Sequence, residues 1–211
     1  MKNNFPFQLY LILSEEACLN EDFCKVAEQA ILGGVDLVQL REKNCSTDNF
    51  KQKALRLQDV LTKHSIPLII NDNLEVALSV GAYGIHVGAN DIAPLEIRKQ
   101  WAACQSIGYS IEDIQQMDSI SAQLSDCFGV SPVYKTNTKT DTIIEWGLDG
   151  LEKIRKSTDK PLIAIGNMNT ANVYEVIKAG ADCIAISSFI CQAKNPQQVA
   201  YEIKQMIQRA L

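Results

Sequence analysis

The sequence predicts an α/β fold of the (β/α)8 TIM-barrel class, formed as a single domain by residues 1–211. Two observations support this prediction: short apolar runs alternate with amphipathic segments, and about eight such units fit into the chain. Apolar strands that alternate with helices pair in parallel with both faces covered, and barrels of this class begin at about 200 residues. A doubly wound open sheet is the alternative, but no Gly-x-Gly-x-x-Gly sequence follows the first apolar run.

The predicted elements follow in order along the chain. The eight apolar runs give strands at residues 8–13, 37–40, 68–70, 84–87, 106–109, 127–130, 162–165 and 183–186. Segments with helical periodicity lie at residues 21–32, 47–63, 75–80, 95–102, 148–155, 171–179 and 196–211. Glycine follows several of these segments, as in Gly81-Ala82 and Gly180-Ala181, because a helix C-terminus favours the left-handed conformation that glycine adopts.

The composition excludes some classes of function. The chain has 20 Lys and Arg against 25 Asp and Glu, a net charge of −5 without a long run of one sign, so we expect no nucleic-acid partner. No apolar run approaches the roughly 20 residues of a membrane span, and no signal peptide is evident, so we expect no membrane partner either. Seven scattered cysteines indicate free thiols in a reducing compartment, which predicts a cytoplasmic protein. The sequence leaves open whether two copies form a homodimer.

In a barrel, function concentrates where the strands end, and this chain differs between its strand ends and strand starts. Polar side chains follow most of the apolar runs, whereas entering segments such as Ile66-Pro67 and Ala82-Tyr83 show only turn chemistry. We therefore expect the residues at the strand ends to meet at one rim: Gln39, Arg41, Lys43, Asn71, Asp72, Asp91, Ser110, Gly166, Asn167, Ser187 and Ser188, with the loop 135–139.

Alternation along the second strand places Gln39, Arg41 and Lys43 on the side that faces the barrel centre. A buried arginine is costly unless an anion or a carboxylate pairs with it, which favours an anionic ligand. The alternative is an internal ion pair of Arg41 with Glu42 or with an aspartate.

Two acidic residues, Asp72 and Asp91, follow adjacent strands of the predicted barrel. Carboxylates in this arrangement can share a magnesium ion, which takes oxygen ligands and usually binds one or two carboxylates together with substrate phosphates. Helix N-capping is the alternative, because each aspartate also precedes a predicted helix.

The loop after the sixth strand predicts a phosphate site. It offers the hydroxyls of Thr136 and Thr138 and the ammonium groups of Lys135 and Lys139 within five residues. Donors and positive charge suit a phosphate oxyanion. The alternative is a solvated surface loop.

Ser187 and Ser188 after the eighth strand, with the Gly166 turn after the seventh, match the phosphate site that barrels often build from their last two loops. The alternative is that a serine here caps a short helix.

No catalytic triad is apparent among the candidates. His64 ends a helix and His86 lies inside an apolar run, where we expect a hydrogen-bonded core residue rather than a base. Cations and carboxylates with few acid/base groups suit a reaction in which bound pyrophosphate departs and binding positions the partner.

Taken together, these residues resemble the thiamine phosphate synthase (thiamine-phosphate pyrophosphorylase) family from about Leu9 to Pro196. Any one string is unspecific, but the combination is highly specific. The strings that carry the resemblance are Val38-Gln-Leu-Arg-Glu-Lys43, Ile69-Ile-Asn-Asp72, Gly84-Ile-His-Val-Gly88 with Asp91, Ile107-Gly-Tyr-Ser110, Gly129-Val-Ser-Pro-Val-Tyr134, Thr136-Asn-Thr-Lys139, Ala164-Ile-Gly166 and Ala179-Gly-Ala-Asp182.

The resemblance implies an enzyme that joins a pyrimidine pyrophosphate to a thiazole phosphate and releases pyrophosphate. It implies Mg²⁺ at Asp72 and Asp91. It also implies that the pyrimidine pyrophosphate is held by Gln39, Arg41, Lys43, Asn71, Ser110 and Lys139. The thiazole phosphate would be held by Thr136, Thr138, Gly166, Asn167, Ser187 and Ser188. Lys139, Arg41, Lys43 and Ser110 would be the catalytic residues.

Three positions depart from the family pattern. Asn167 replaces the second glycine of the usual Gly-Gly-Ile, Gly88-Ala89-Asn90-Asp91 keeps only the last acid of its string, and Glu112 stands where a histidine is common. Thiazole tautomerase relatives share the barrel, use a histidine near the fifth strand and lack the full phosphate and magnesium set. A tautomerase-like enzyme and a non-catalytic thiazole phosphate binding protein are the two alternatives to the synthase.

Overall fold

The computed structural model describes residues 5–19, 21–135 and 144–211. Eight parallel strands pair in sequence order and close into a barrel, which confirms the predicted fold class. The strands are β1 (Leu9–Leu13), β2 (Leu37–Leu40), β3 (Leu68–Asn71), β4 (Gly84–Val87), β5 (Ser106–Ile111), β6 (Cys127–Val130), β7 (Leu162–Ile165) and β8 (Cys183–Ile186). Five of them match the predicted bounds, and the other three differ by one or two residues at an end.

The α-helices of the described residues lie on the outside of the barrel or at its ends. They are α1 (Phe23–Leu32), α2 (Thr47–Lys63), α3 (Leu74–Ser79), α4 (Pro94–Gln100), α5 (Ile120–Leu124), α6 (Gly147–Ser157), α7 (Val173–Lys178), α8 (Ser188–Cys191) and α9 (Pro196–Ala210). Short 3-10 helices lie at Glu16–Cys18 and Ile114–Asp118. None of the helices in the described ranges is long and apolar enough to cross a membrane.

Helix caps explain why some predicted bounds were wrong. The segment 21–32 begins as a helix only at Phe23, because the Asp22 carboxylate accepts a hydrogen bond from the Cys24 amide at 2.8 Å. The segment 171–179 begins only at Val173, because the Asn169 side chain holds the Ala171 amide in a turn at 2.9 Å. A cap consumes the first free amides of a helix and so fixes where it begins.

Each strand buries both of its faces. Residues such as Tyr10, Ile69 and Cys127 fill the barrel interior, whereas neighbours such as Leu11 and Ile70 pack under the surrounding helices. Full burial of a leucine or isoleucine side chain stabilises the fold by about 1.5–3 kcal/mol. The near-continuous apolar runs in the sequence follow from this two-sided burial.

Helix α9 closes the ring of helices by packing between α1 and α7. Its backbone lies directly over the end of α1, where a Cβ on Gly33 would come within 2.2 Å of the Gln197 carbonyl oxygen. Glycine is therefore required at this point by the approach of a second backbone, in addition to its role in the turn.

Three aspartates clamp the end of the barrel where the strands begin. Each of these aspartates, Asp36, Asp126 and Asp182, comes just before a strand and forms two hydrogen bonds to one residue on the preceding strand. The carboxylate accepts from the backbone N–H of that residue, and the backbone N–H of the aspartate donates to its carbonyl oxygen. That residue is Leu9, Ile107 or Leu162, with N–H to carboxylate distances of 3.0, 2.6 and 2.8 Å. Each carboxylate also pairs with a cation from a helix, in the pairs Asp36–Lys204, Asp126–Arg98 and Asp182–Arg155. The expectation that the entering segments carry only turn chemistry is therefore wrong.

Candidate active site

A cavity of about 890 Å³ opens where the strands end. Of the fourteen residues proposed from the sequence, all eleven that the structure describes line it: Gln39, Arg41, Lys43, Asn71, Asp72, Asp91, Ser110, Gly166, Asn167, Ser187 and Ser188. Thr136, Thr138 and Lys139 lie outside the described residues. Lys135, the last described residue before that gap, is exposed and also faces the cavity. The volume is ample for a small ligand and large enough for two.

The side chains of β2 and the loop after it supply amide and cation groups. Gln39 lies on the cavity floor, 2 % exposed, and donates a hydrogen bond to the Tyr10 hydroxyl at 2.8 Å. Arg41 is anchored by its backbone N–H, which donates to the Leu13 carbonyl at 2.8 Å. The alternative of an Arg41–Glu42 ion pair is wrong, because the Glu42 carboxylate bonds to Lys53 at 2.6 Å on the outer side. Arg41 and Lys43 therefore present their charge to the cavity.

Asp72 and Asp91 meet at the ends of β3 and β4. Burial and the neighbouring Asp91 carboxylate raise the pKa of Asp72 to about 6, against the lowering effect of Lys43 and Arg41. Asp91 accepts a hydrogen bond from the Gly88 amide at 2.7 Å. Two adjacent carboxylates repel each other unless a proton or a cation lies between them. The pair therefore has the chemistry of a cation site.

The helix-capping alternative for these two aspartates is wrong. The N-cap of α3 is Asn73, whose side chain accepts from the Val76 amide at 2.9 Å, and α4 begins after Ala93 without a side-chain cap. Asp72 instead has the left-handed φ of +61°, which directs the chain away from the strand. A strained backbone at a rim carboxylate is typical of a functional position.

Among the described residues no three Asp, Glu, His or Cys side chains come together as a metal cluster. As a pair, Asp72 and Asp91 could supply two ligands of a magnesium ion, and the remaining ligands would then be phosphate oxygens and water. Magnesium usually keeps several waters and binds in this shared way.

Ser110 on β5 lies beside His86 on β4, with its Oγ 3.0 Å from the imidazole Nε2. His86 is 7 % exposed, which confirms the predicted hydrogen-bonded core histidine. Two glycines on neighbouring strands leave room for its ring, since a Cβ on Gly108 or Gly129 would come within 2.4 or 2.9 Å of imidazole atoms. This histidine also lines the cavity, which its position inside an apolar run did not indicate.

The turn after β7 has two consecutive residues with positive φ, Gly166 at +112° and Asn167 at +52°. A Cβ on Gly166 would come within 2.7 Å of the Pro132 Cβ, so this position requires glycine. Asparagine tolerates the left-handed region better than other non-glycine residues. The Asn167 carbonyl accepts from the Asn172 side chain at 2.9 Å, and the Asn169 side chain donates to the same carbonyl at 3.1 Å. These two asparagines offset part of the strain at Asn167 and were missed from the sequence.

Ser187 and Ser188 lie at the start of α8, where they line the cavity. Ser187 occupies the N-cap position, but its hydroxyl accepts no capping hydrogen bond. The simple capping alternative is therefore not supported, and the Ser187 side chain instead forms a hydrogen bond with the Cys191 side chain.

Several cavity residues were missed by the sequence analysis, among them Ser14, Ser131, Gln192 and His86. Ser14 and Ser131 directly follow β1 and β6. The other candidates were predicted because they follow an apolar run directly. Ser14 and Ser131 also follow such runs, so the same reasoning applies to them. Gln192 follows α8 and gives no such signal.

The lining residues form two groups on opposite sides of the barrel. Carboxylates and cations come from the ends of β2, β3 and β4, and backbone turns with hydroxyls come from the ends of β7 and β8. In a closed barrel of eight strands β3 and β7 face each other across the axis. The cavity thus has one side with cations and a carboxylate pair, and an opposite side with hydroxyls and backbone turns.

Comparison with known proteins gives consistent results. Residues 9–190 match the family model described as thiamine monophosphate synthase. The chain is 40% identical over 200 residues to a thiamine-phosphate synthase of Albidiferax ferrireducens, an alignment that covers 95% of this chain and 91% of the relative. It is 38% identical to a thiamine-phosphate synthase of Leptospira biflexa, with 93% and 95% covered. The solved structure of a thiamine phosphate pyrophosphorylase from Pyrococcus furiosus superposes with a TM-score of 0.86 at 26% identity over 97% of each chain.

Proposed function

Since the chain belongs to the thiamine monophosphate synthase family, whose members are transferases, we propose that it joins a pyrimidine pyrophosphate to a thiazole phosphate. The substrates are 4-amino-2-methyl-5-hydroxymethylpyrimidine pyrophosphate and 4-methyl-5-(2-phosphoethyl)thiazole, and the products are thiamine phosphate and pyrophosphate. The observation that carries the proposal is the two-sided cavity, which pairs a carboxylate and cation group with an opposing phosphate-competent turn.

The pyrophosphate lies against the β2–β4 side of the cavity in this proposal. Arg41 donates two parallel hydrogen bonds to phosphate oxygens, and Lys43 adds a point charge. Lys139, which lies outside the described residues, supplies a second ammonium group. Asp72 and Asp91 would hold Mg²⁺, which supplies further neutralisation of the leaving group when bound.

The reaction proceeds by departure of the leaving group. The bond between the methylene carbon and the pyrophosphate oxygen breaks, and the electron pair leaves with the oxygen. The electron-rich aminopyrimidine shares the resulting positive charge, and the thiazole nitrogen forms the new bond with its lone pair. Cations that contact the pyrophosphate stabilise charge that grows during bond breaking, so they lower the barrier as well as bind the substrate.

The pyrimidine ring lies on the cavity floor. Gln39 and Asn71 are buried there, 2 % and 8 % exposed, and Ser110 is held by His86. Side chains that are already packed or hydrogen-bonded lose little entropy on binding and hold the methylene carbon in one place.

The thiazole phosphate lies on the opposite side. Gly166 and Asn167 present their backbone in the left-handed region, and Ser187 and Ser188 add hydroxyl donors. Thr136 and Thr138 complete this set from the part of the loop that the structure does not describe. This placement brings the thiazole nitrogen toward the pyrimidine methylene carbon across the cavity.

Release of pyrophosphate from the two substrates, measured with Mg²⁺ and with a chelator, tests the proposal. We expect pyrophosphate and thiamine phosphate in equal amounts, and strong loss of turnover without the metal. Equal turnover with the chelator would remove the role given to Asp72 and Asp91. A rise in melting temperature with thiazole phosphate but no product would instead identify a binding protein, the alternative that the side chain of Asn167 motivates.

A further inference from the structure

Glu42 lies between the two cavity cations Arg41 and Lys43, yet its own side chain faces the opposite way. The Glu42 side chain is 8% exposed and contacts Lys53 of α2 at 2.6 Å. Its second oxygen accepts a hydrogen bond from the Glu15 amide at 2.7 Å. Lys53 also bonds to the Glu15 carboxylate at 2.7 Å. One lysine thus joins two loops of the rim, the one after β1 and the one after β2.

Lys53 is an unusual position for a lysine, since its side chain is only 11% exposed on the face of α2 that packs inward. Burial lowers the pKa of Lys53, but hydrogen bonds to Glu15 and Glu42 outweigh this effect and raise the pKa above its ordinary value. The ammonium group therefore stays charged. Buried lysines of this kind occur where a specific carboxylate needs a partner.

The consequence for the cavity is electrostatic as well as geometric. A carboxylate between two cations would neutralise one of them if its side chain turned inward. The bond to Lys53 holds Glu42 on the outer side, so that Arg41 and Lys43 keep their charge for a ligand. It also ties the middle of the loop after β2 to a 17-residue helix, which fixes where both cations point.

We propose that Glu42, Lys53 and Glu15 are positioning residues that hold Arg41 and Lys43 toward the pyrophosphate and keep the Glu42 carboxylate away from them. This inference rests on the proposed function, because it presumes that the two cations bind pyrophosphate. None of the three positioning residues touches the substrate, so their effect is exerted through Arg41 and Lys43.

The test compares Lys53→Met, Glu42→Gln and the double variant in the full chain. Lys53→Met frees the Glu42 carboxylate to compete for the cavity cations. We expect it to raise the Kd for inorganic pyrophosphate with Mg²⁺, measured by calorimetry, and the KM for the pyrimidine substrate by roughly 10- to 100-fold. The KM for thiazole phosphate should change by less than about twofold. The double variant, in which residue 42 carries no charge, should recover part of the pyrophosphate affinity that Lys53→Met loses.

Two matched controls separate positioning from stability. Lys51→Met changes an exposed lysine on the same helix, and Lys204→Met breaks the half-buried pair with Asp36 at the other end of the barrel. Both should keep the pyrophosphate Kd within about twofold, although Lys204→Met lowers the melting temperature. If Lys53→Met does not fold, Glu15→Gln removes the more exposed carboxylate, at 56% exposure, and should raise the Kd by about threefold.

Wild-type pyrophosphate affinity in Lys53→Met, or in Glu15→Gln where that variant is used, would overturn the positioning role. So would a double variant that binds pyrophosphate more weakly than Lys53→Met. Either result leaves the proposed function intact if the wild-type chain binds pyrophosphate and forms thiamine phosphate. A wild-type chain that does neither would overturn the proposed function and this inference together.

Discussion

The carboxylates at the two ends of the barrel have opposite surroundings. Where the strands begin, Asp36, Asp126 and Asp182 each bond to a strand backbone and to a cation from a helix. Where the strands end, Asp72 and Asp91 face each other, and burial together with this neighbour raises the pKa of Asp72 to about 6. Satisfied carboxylates stabilise a fold, whereas a repelling pair weakens it until a ligand arrives.

This difference shows that aspartates are paired within the chain where the strands begin, the first rim, and lack such a cation partner among the described residues where the strands end, the second rim, which supports the proposed cation-binding role of the second pair. The aspartates of the first rim are neutralised within the chain and have no charge left for a ligand. The pair at the second rim is disfavoured in the absence of a cation, so that the proposed Mg²⁺ would relieve the repulsion between the two carboxylates. In the proposed function, this relief would contribute to the affinity for the ion.

Asp72→Asn gives the largest expected effect and separates the two roles at one position. Activity should fall by roughly 100-fold or more, because a ligand of the proposed Mg²⁺ site is lost. The melting temperature in chelator should rise at pH 7.5. The folded pKa of about 6 lies above the ordinary value of 3.8, so the stability penalty at Asp72 is absent below about pH 4, grows between pH 4 and pH 6, and is fully present above pH 6.

Melting curves of the wild type and Asp72→Asn in chelator, from pH 4 to pH 8, check this sign. The two curves should converge near pH 4, separate between pH 4 and pH 6, and stay apart by a constant amount above pH 6, with the variant higher. Asparagine also suits the left-handed φ of +61°, so backbone strain does not mask the effect. A variant that melts lower than the wild type at pH 8 would mean that Asp72 is satisfied like the aspartates of the first rim.

Gly108→Ala gives the second largest expected loss of activity, because it disturbs the cavity at the strand ends without changing a charge. The new Cβ would lie 2.4 Å from the His86 Nδ1, so the imidazole must move and Ser110 loses its partner. We expect kcat/KM to fall by roughly 10- to 100-fold. Gly81→Ala is the control, since nothing lies within 4 Å of a Cβ there, although its φ of +60° adds backbone strain that Gly108→Ala does not have.

The control variant should lose stability through backbone strain and keep its activity per folded molecule. Steady-state kinetics on both variants, normalised to the folded fraction, separates these outcomes. Equal activity in the two variants would show that His86 serves only the packing of the barrel interior, and Ser110 would then need another support.

Asp36→Ala gives the smallest effect on activity and tests the first rim. Its carboxylate accepts from the amides of Gln8 and Leu9 at 3.0–3.2 Å and pairs with Lys204. Loss of a charged hydrogen-bonding partner should lower the free energy of unfolding by about 1.5–3 kcal/mol, measured by urea denaturation. Turnover per folded molecule should remain within about twofold. A large loss of turnover would contradict the claim that the aspartates where the strands begin serve stability alone.

The sequence by itself determined the barrel and which residues meet around the cavity where the strands end. Strands that are buried on both faces are visible as apolar runs, because burial acts on each strand in its own sequence window. The residues after those runs share one rim, since all strands of a parallel barrel point the same way. Eleven proposed residues therefore meet in one cavity, although none of their partners could be named from the sequence. Their roles remain predictions.

Only the tertiary structure decided which side chains pair. Asp36 meets Lys204 across 168 positions, and Glu42 bonds to Lys53 rather than to its neighbour Arg41. Such choices depend on how helices lie against the barrel, which no local pattern records. Helix α5, of five residues, was missed for the same reason, and α8, of four residues, entered only as the short helix of the capping alternative. Segments this short have no period to detect, and packing against the barrel rather than helix propensity holds them in place.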